Sequence, residues 1–460
     1  MVSIRLIPLI ARGLESLLQR APGVWHYLSL QQIARRPQDY SNALLLIMIS
    51  LSLAIFSATA AKTLDQWLYD SIHYATGADL VVWEYAPAPS GVSSSIPGPV
   101  SAAPEAAARP RNMPTSSGIT LADLGGESEW AATRAQHLKY PGVRDLTRVG
   151  RYHGQFASGA VETEAEVIGI DRLEFPNVAF FRDDFANVPL GGLMNDLGDD
   201  STAMLIPRDL AESKSLQVGD VIAMNVAVLD QIYPRQFIVA GIFDYFPTVF
   251  PGRSIPVVVN LEAIFGNPDS IIDYNIWMSL DADADTSAIT KAIYEETGLI
   301  AAVQGDAASE VRREQAGIER VGLFGILNVG FFTAGLMPAI GFILYSYASI
   351  RRRFIQLGIL QAVGLSLRQL VGYIVSEQLL LMSFAILGGA SIGLLASNIF
   401  VPFLQAEVQP TPPFLVFSGL GEAAWLSLVF AIVLLLTLAG TISSLARMKV
   451  FQAIKMGESL

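Results

Sequence analysis

The sequence predicts a polytopic α-helical membrane protein with four transmembrane helices. A large extracytoplasmic mixed α/β domain is expected between the first and second of them. Three observations lead there. Of 460 residues, 52% are hydrophobic and only 16% charged, whereas an ordinary soluble chain carries about 25% charged residues. The uncharged stretches are long, covering 41–61, 321–350, 378–406 and 423–446. Each can supply the roughly 20 apolar residues that cross about 30 Å of hydrocarbon. The charge is also divided: residues 63–320 hold 17 Lys and Arg against 36 Asp and Glu, a net of −19, and the rest holds 13 against 6, a net of +7.

Composition excludes several classes of function. There are no cysteines, so disulfide scaffolds, Cys-ligated zinc and thiol catalysis are ruled out. Four histidines leave little for a His-based metal site. The acidic character of the large domain argues against nucleic acid as a partner, since that needs a basic surface.

Residues 1–40 form the entry segment. Leu14, Leu17 and Leu18 alternate with Arg12, Glu15 and Arg20, and Trp25, Leu28 and Ile33 precede Arg35-Arg36. Such amphipathic stretches suit the cytoplasmic face of a lipid bilayer. The first span follows at 41–62. The extracytoplasmic domain covers 63–320 and opens with a strand at 78–85. Seven of the 24 prolines then fall in 86–118, a composition that predicts a flexible external loop. Beyond it, period-two alternation predicts a strand at 161–168. Further strands are expected at 203–206, 221–228, 235–243 and 255–259, and helices at 207–216, 260–265 and 287–297, the last capped by Asp285 or Thr286. No loop signal separates Glu310 from the second span at 321–350, so one continuous helix is expected there. Gly330, Gly335, Pro338 and Gly341 make that span easy to bend.

A cytoplasmic loop at 351–369, a third span at 370–404, an external loop at 405–422, a fourth span at 423–446 and a tail at 447–460 complete the order. Positive charge fixes the orientation. Arg5, Arg12, Arg20, Arg35 and Arg36 precede the first span, Arg351, Arg352, Arg353 and Arg368 fill the 351–369 loop, and Arg447, Lys449 and Lys455 follow the fourth span. The 405–422 loop has no Lys or Arg. The positive-inside rule places both termini in the cytoplasm, for a multi-pass protein of a bacterial plasma membrane.

No Walker A loop, H-E-x-x-H or G-x-S-x-G motif occurs, so no catalytic role and no cofactor is expected. Asp281-x-Asp283-x-Asp285 hints at a calcium loop, but Thr286 and Ala292 stand where an EF-hand needs Gly and Glu; a turn and a helix cap explain it better. Glu377 is the one ionisable residue within a predicted span, and an intramembrane carboxylate marks function by default. Snorkelling to the interface, or pairing with Arg368 or Arg351 to Arg353, is the expectation. Gly389-x-x-x-Gly393 places two small residues on one helix face, which permits close helix packing.

The loop Ser349-Ile-Arg-Arg-Arg-Phe-Ile-Gln-Leu-Gly-Ile-Leu-Gln-Ala-Val-Gly-Leu-Ser-Leu-Arg-Gln-Leu370 resembles that of the FtsX-like ABC permease family, which includes MacB, LolC and LolE. Arg351, Arg352, Leu357, Gly358, Ile359, Leu360, Ala362, Gly364, Ser366, Arg368, Gln369 and Glu377 match its pattern. The acidic residue usual near Phe354 is missing, Gln361 replaces an Arg and Leu367 a polar residue. The resemblance implies a non-catalytic subunit whose ATPase activity lies in a partner chain. Arg351, Arg352, Arg353, Leu357, Gly358, Leu360, Gly364 and Arg368 would form the seat of that ABC ATPase subunit. It also implies a homodimer or a second permease half, and a membrane-fusion or periplasmic protein as a further partner. The chain is then either a free-standing half or a piece of a longer permease, with 1–23 resembling a linker between halves. Export or outer-leaflet extraction of a hydrophobic or amphipathic substrate is the first functional reading. Activation of a cell-wall hydrolase, as in the cell-division branch, is the alternative.

Overall fold

The computed structural model describes residues 38–85, 134–158, 161–228, 231–252, 254–264, 274–352, 359, 364, 366–403, 411–415 and 419–447. The entry segment up to 37, the Pro-rich stretch 86–118 and the tail after 447 lie outside the described residues. Two compact units emerge, one drawn from 1–68 and 314–460, the other from 69–313.

Helix α1 runs Gln38–Thr76, well past the end expected at 62. Residues 63–76 contain no Gly or Pro, so nothing in them breaks a helix. Gly77 does, at φ +92°, with its N–H on the His73 carbonyl at 2.7 Å. This is the left-handed glycine stop common at helix C-termini.

The α/β unit follows in chain order. It comprises β1 (Leu80–Tyr85), α2 (Arg134–His137), β2 (Val143–Ser158), β3 (Val161–Ile170), α3 (Phe175–Val178), α4 (Leu190–Asp199), β4 (Ala203–Pro207), α5 (Arg208–Lys214) and β5 (Val221–Val228). Then come β6 (Gln231–Phe243), β7 (Ile255–Asn260), α6 (Leu261–Ile264), β8 (Asn275–Leu280), α7 (Thr286–Thr297), β9 (Ile300–Asp306) and α8 (Ala307–Gln315). The sheet order is β3-β7-β4-β6-β5-β2-β8-β1-β9, and β3 pairs with β2 as well. Six strands therefore close on themselves, while β8, β1 and β9 extend from β2.

Closure follows from the length of β2. Its residues 143–149 pair with β8, 149–158 with β3, and 153–156 also with β5. One core draws side chains from all six ring strands: Phe156, Val167, Met204, Val226, Val239 and Val257, each at most 4% exposed. The opposite face of β3, β4 and β7 supplies Ile168, Leu205 and Val258 to a second core with α3 and α4. A third joins β1 and β8 to Ile289 and Ile293 of α7. Between those elements His137 and Glu84 are fully enclosed, with imidazole Nε2 2.6 Å from a carboxylate oxygen.

The helical unit continues with α9 (Ile318–Arg352), α10 (Leu367–Phe403) and α11 (Leu420–Arg447). The continuous helix expected from Glu310 into the second span is broken: α8 ends at Gln315 and α9 begins at Ile318, across Gly317. Among the described residues three helices are long and apolar enough to cross a membrane, over Tyr40–Thr76, Arg368–Phe400 and Leu420–Gly440. The fourth expected span falls in α9, whose described side chains supply a shorter apolar stretch, Leu336–Ser349. Tyr40, Leu44, Phe342, Leu381 and Leu434 bring all four helices into one core.

Candidate functional site

The loop between α9 and α10 begins at Arg351 and Arg352, both exposed at the end of α9. Arg353, Leu357, Gly358 and Leu360 lie outside the described residues. Ile359 is 59% exposed. Gly364 sits at φ +109° with no atom near a hypothetical Cβ, so its backbone, not crowding, requires glycine. Ser366 and Gln369 then bond reciprocally. The Ser366 N–H donates to Gln369 Oε1 at 2.9 Å, and the Gln369 N–H donates to Ser366 Oγ at 3.3 Å. That is a capping box, which satisfies two helix-start groups at once. Arg368 is exposed in the first turn.

Glu377 does not snorkel. It is 3% exposed, and Tyr40 Oη donates to its Oε1 at 2.5 Å. Tyr40 is fully buried, with its ring 6.3 Å from that of Tyr345 on α9. Carboxylate, hydroxyl and aromatic ring thus join α10, α1 and α9. A tyrosine 337 positions away supplies this hydrogen bond.

Farther along α10, Gly389 and Gly393 face α1. A Cβ on Gly389 would stand 3.0 Å from the Met48 carbonyl oxygen, and one on Gly393 would stand 2.9 Å from Ile55 Cβ. The two backbones approach closely because neither glycine carries a side chain. Near the other end of α1, Lys62 pairs with Glu422 of α11. The Trp67 indole N–H donates to the Pro412 carbonyl at 3.1 Å, with its ring 5.0 Å from Phe414.

The last two turns of α1, from Tyr69 to Thr76, are seated within the α/β unit. Asp70 accepts from Arg182 at 2.7 Å, with both side chains under 10% exposed. The Tyr74 ring lies edge-on to Phe185 and Phe250, and its hydroxyl donates to the Val249 carbonyl. The Thr248 N–H donates to the Tyr74 carbonyl at 2.7 Å. Thr248 holds φ +67°, an uncommon conformation for a β-branched residue, which persists only when its surroundings impose it. Gly77 meets the Trp277 ring so closely that any Cβ would collide at 2.3 Å. Sequence reasoning missed this seat, because Asp70, Arg182 and Thr248 carry no shared local pattern.

Two of the three acidic residues of the 281–285 stretch make structural contacts. Asp281 pairs with Arg144 at 2.7 Å, and Asp285 caps α7 through the Ser287 N–H. Among the described residues no group of three His, Asp or Glu could hold a metal ion. His73 Nδ1 lies 2.8 Å from the Tyr69 carbonyl oxygen, and His153 is exposed on β2.

Residues 328–452 match the family model described as FtsX-like permease C-terminal. No curated protein matches the chain. Among solved structures, the extracellular domain of the noncanonic ABC-type transporter YknZ from Gram-positive bacteria is 14% identical, with a TM-score of 0.26, over 37% of this chain and 86% of that one. The periplasmic region of MacB from Actinobacillus actinomycetemcomitans is 9% identical, with a TM-score of 0.28, over 44% and 90%. A domain of a putative permease protein from Porphyromonas gingivalis is 16% identical, with a TM-score of 0.24, over 37% and 80%.

Proposed function

From the FtsX-like permease domain that this chain carries over residues 328–452, we propose that it is the membrane subunit of an ABC transporter. In this reading a separate ATPase docks on the 351–368 loop, and the chain couples ATP hydrolysis to export or outer-leaflet extraction of a hydrophobic or amphipathic substrate. The family match carries the reading, because its span includes the loop, Glu377 and the glycine face of α10.

The parts have distinct tasks. Arg351 to Arg353 hold the end of α9 at anionic headgroups. Leu357, Gly358 and Leu360 enter a groove of the ATPase, while Gly364 and the Ser366–Gln369 box fix where α10 starts. Glu377 and Tyr40 tie α10 to α1, so a displacement of the loop reaches α1. The seat around Asp70 and Tyr74 grips the far end of that same helix. Four spans, cytoplasmic termini, a plasma-membrane location and pairing with a second permease half or a second copy complete the proposal. A membrane-fusion or periplasmic protein would engage the α/β unit.

The test uses the full chain in lipid nanodiscs with a cognate ABC ATPase. The wild type is expected to stimulate ATP hydrolysis several-fold. The double substitution Leu357→Asp with Leu360→Asp should insert normally and abolish that stimulation. Intact stimulation in the double variant would refute the docking assignment. Stimulation that responds to a wall hydrolase and never to amphipathic substrates would favour the signalling alternative.

A further inference from the structure

The last carbonyls of an α-helix have no partner within it. At the end of α1 the His73 carbonyl takes the Gly77 N–H, a local solution, but the Tyr74 carbonyl takes the Thr248 N–H from the connection between β6 and β7. Three successive residues of that connection hold Tyr74. Thr248 bonds its carbonyl, Val249 accepts its hydroxyl, and the Phe250 ring stands edge-on to its ring at 5.6 Å. Residues 247–252 thus form a strap across the end of the helix, with the buried Tyr74 as its pin.

The two sides of the strap differ. Before it, Phe246 is fully buried and its ring stacks on Phe175 at 5.5 Å. After it, Pro251 and Gly252 are exposed, and Gly252 holds φ +81° with no atom near a hypothetical Cβ. Between them Thr248 holds φ +67°. That conformation brings Cβ against the following carbonyl oxygen, so a threonine without other contacts leaves it for extended backbone. Two contacts oppose the return: the Thr248 N–H on the Tyr74 carbonyl, and Arg151 Nη2 donating to Thr248 Oγ1. Arg151 is itself held by Glu166, 2.8 Å from its Nη1, and the other Glu166 oxygen accepts from Ser254 Oγ at 2.7 Å. The network runs from β2 and β3 to the start of β7, and the strain sits at the one residue where it meets the helix.

We propose that this strap is a catch with two states. Closed, it holds Tyr74. Open, Thr248 returns to extended backbone, and the carbonyl and hydroxyl of Tyr74 are released to water while the sheet stays paired. Strained residues of this kind persist only where their surroundings impose them, and they gather at clamps and switches. Opening relieves the strain, so it is reached by local fluctuation and not by unfolding. It disturbs little else, since of residues 248–252 only the half-buried Val249 packs against the second core. The last turn of α1 is therefore fastened by contacts that can be given up and remade in the folded unit. The catch does not depend on the transporter reading, and neither does its test.

The experiment reads hydrogen exchange of single amides on the full chain in nanodiscs, each rate divided by its intrinsic value. Val239 is the reference, because its N–H bonds the Asp220 carbonyl at 2.9 Å in the core of the sheet. In the wild type the Thr248 amide should exchange about a hundredfold faster than that of Val239, the mark of a separate local opening. Thr248→Asn places a residue that tolerates the left-handed form, and should slow exchange at 248 about fivefold. Arg151→Met removes the guanidinium and should speed exchange at 248 about fivefold while leaving Val239 within about twofold. Tyr74→Phe removes the bond to Val249 and should act in the same direction as Arg151→Met. Exchange of Thr248 at the rate of Val239 would overturn the proposal, since the strap would then open only with the sheet. Exchange in Thr248→Asn as fast as in the wild type would show that no strain is stored. Equal acceleration of both amides in Arg151→Met would reduce the network to general stabilisation and overturn the catch as well. Should Thr248→Asn fail to fold, which Val239 reports, the wild-type ratio and Arg151→Met still decide.

Discussion

Three carboxylates are buried among the described residues, Asp70, Glu84 and Glu377, and two of them, one in each unit, meet uncharged or titratable partners of different kinds. Glu84 in the α/β unit meets His137, which can carry a compensating positive charge. Glu377 in the helical unit meets the Tyr40 hydroxyl, which donates a hydrogen bond to it. The first pair sets a carboxyl group against an imidazole; the second sets one against a hydroxyl on another helix. A buried ion pair specifies a local arrangement at little net gain, and removing one member leaves an uncompensated group. A hydroxyl-held carboxyl links three helices, and its consequence is expected in coupling more than in folding.

The largest effect should come from breaking the first pair. His137→Leu alone takes the imidazole away from Glu84 and should cost about 3–5 kcal/mol, whereas His137→Leu with Glu84→Leu should recover much of that. Thermal melts of the α/β unit, expressed as residues 64–318, measure both. Its net charge of −19 favours solubility, and a cooperative melt of the wild-type unit is expected. Equal losses in single and double variants would remove the ion pair from the comparison.

The second pair should answer with function. Tyr40→Phe deletes the donor and keeps the ring, and should destabilise the helical unit by about 1–3 kcal/mol. Glu377→Gln keeps the shape and should weaken stimulation of a partner ATPase without making transport depend on a proton gradient. Normal transport in Glu377→Leu would reduce the carboxyl group to a passive packing element.

Acid should act through the carboxylates that the α/β unit holds in the charged form. Burial opposes charge on Asp145, but Arg134, the Leu146 N–H and Asn177 outweigh it and hold its pKa below the usual carboxylate value. Burial likewise opposes charge on Asp79, while His73 and the Leu280 N–H lower its pKa. A depressed folded-state pKa gives stability that is complete above the unfolded value of about 4 and is lost as pH falls through the folded one. Melting temperatures of the α/β unit should therefore fall on acidification below about pH 4, and Asp145→Asn should flatten part of that fall. The smallest effect belongs to deletion of residues 88–116. Its Pro-rich composition predicts little contribution to a core, and loop length costs little entropy. A drop of many degrees in the melt would show that the segment packs.

The same contrast explains what the sequence could reveal. Strands β3, β5 and β7 were legible because one face meets a core and the chain alternates or runs apolar accordingly. The Asp285 cap and the Gly364 stop were legible because they are local. Strand β2 was not. Arg144, Arg148 and Arg151 interrupt its pattern, and each is matched by a carboxylate from elsewhere: Asp281, Asp171 and Glu166. Its three neighbouring strands are set by tertiary pairing, which local periodicity does not encode. The 351–369 loop was legible as a motif, whereas the Tyr40–Glu377 bond joins positions with no shared pattern. The extension of α1 to Thr76 was missed for a plainer reason: the hydropathy that marks a span says nothing about where the helix ends.

Ring closure has a consequence for how this unit meets other chains. An open nine-stranded sheet has two borders, each a row of unpaired N–H and C=O groups able to recruit a foreign strand. Here β3 returns to β2, so among the described residues only β9 forms a border. That border is irregular. The β1–β9 register slips between Val81 and Val82, and such a bulge twists a strand away from the flat geometry that templated stacking requires. Among the described residues the α/β unit therefore presents one blunted border strand instead of two straight ones, which lowers the tendency of the native sheet to recruit a foreign strand.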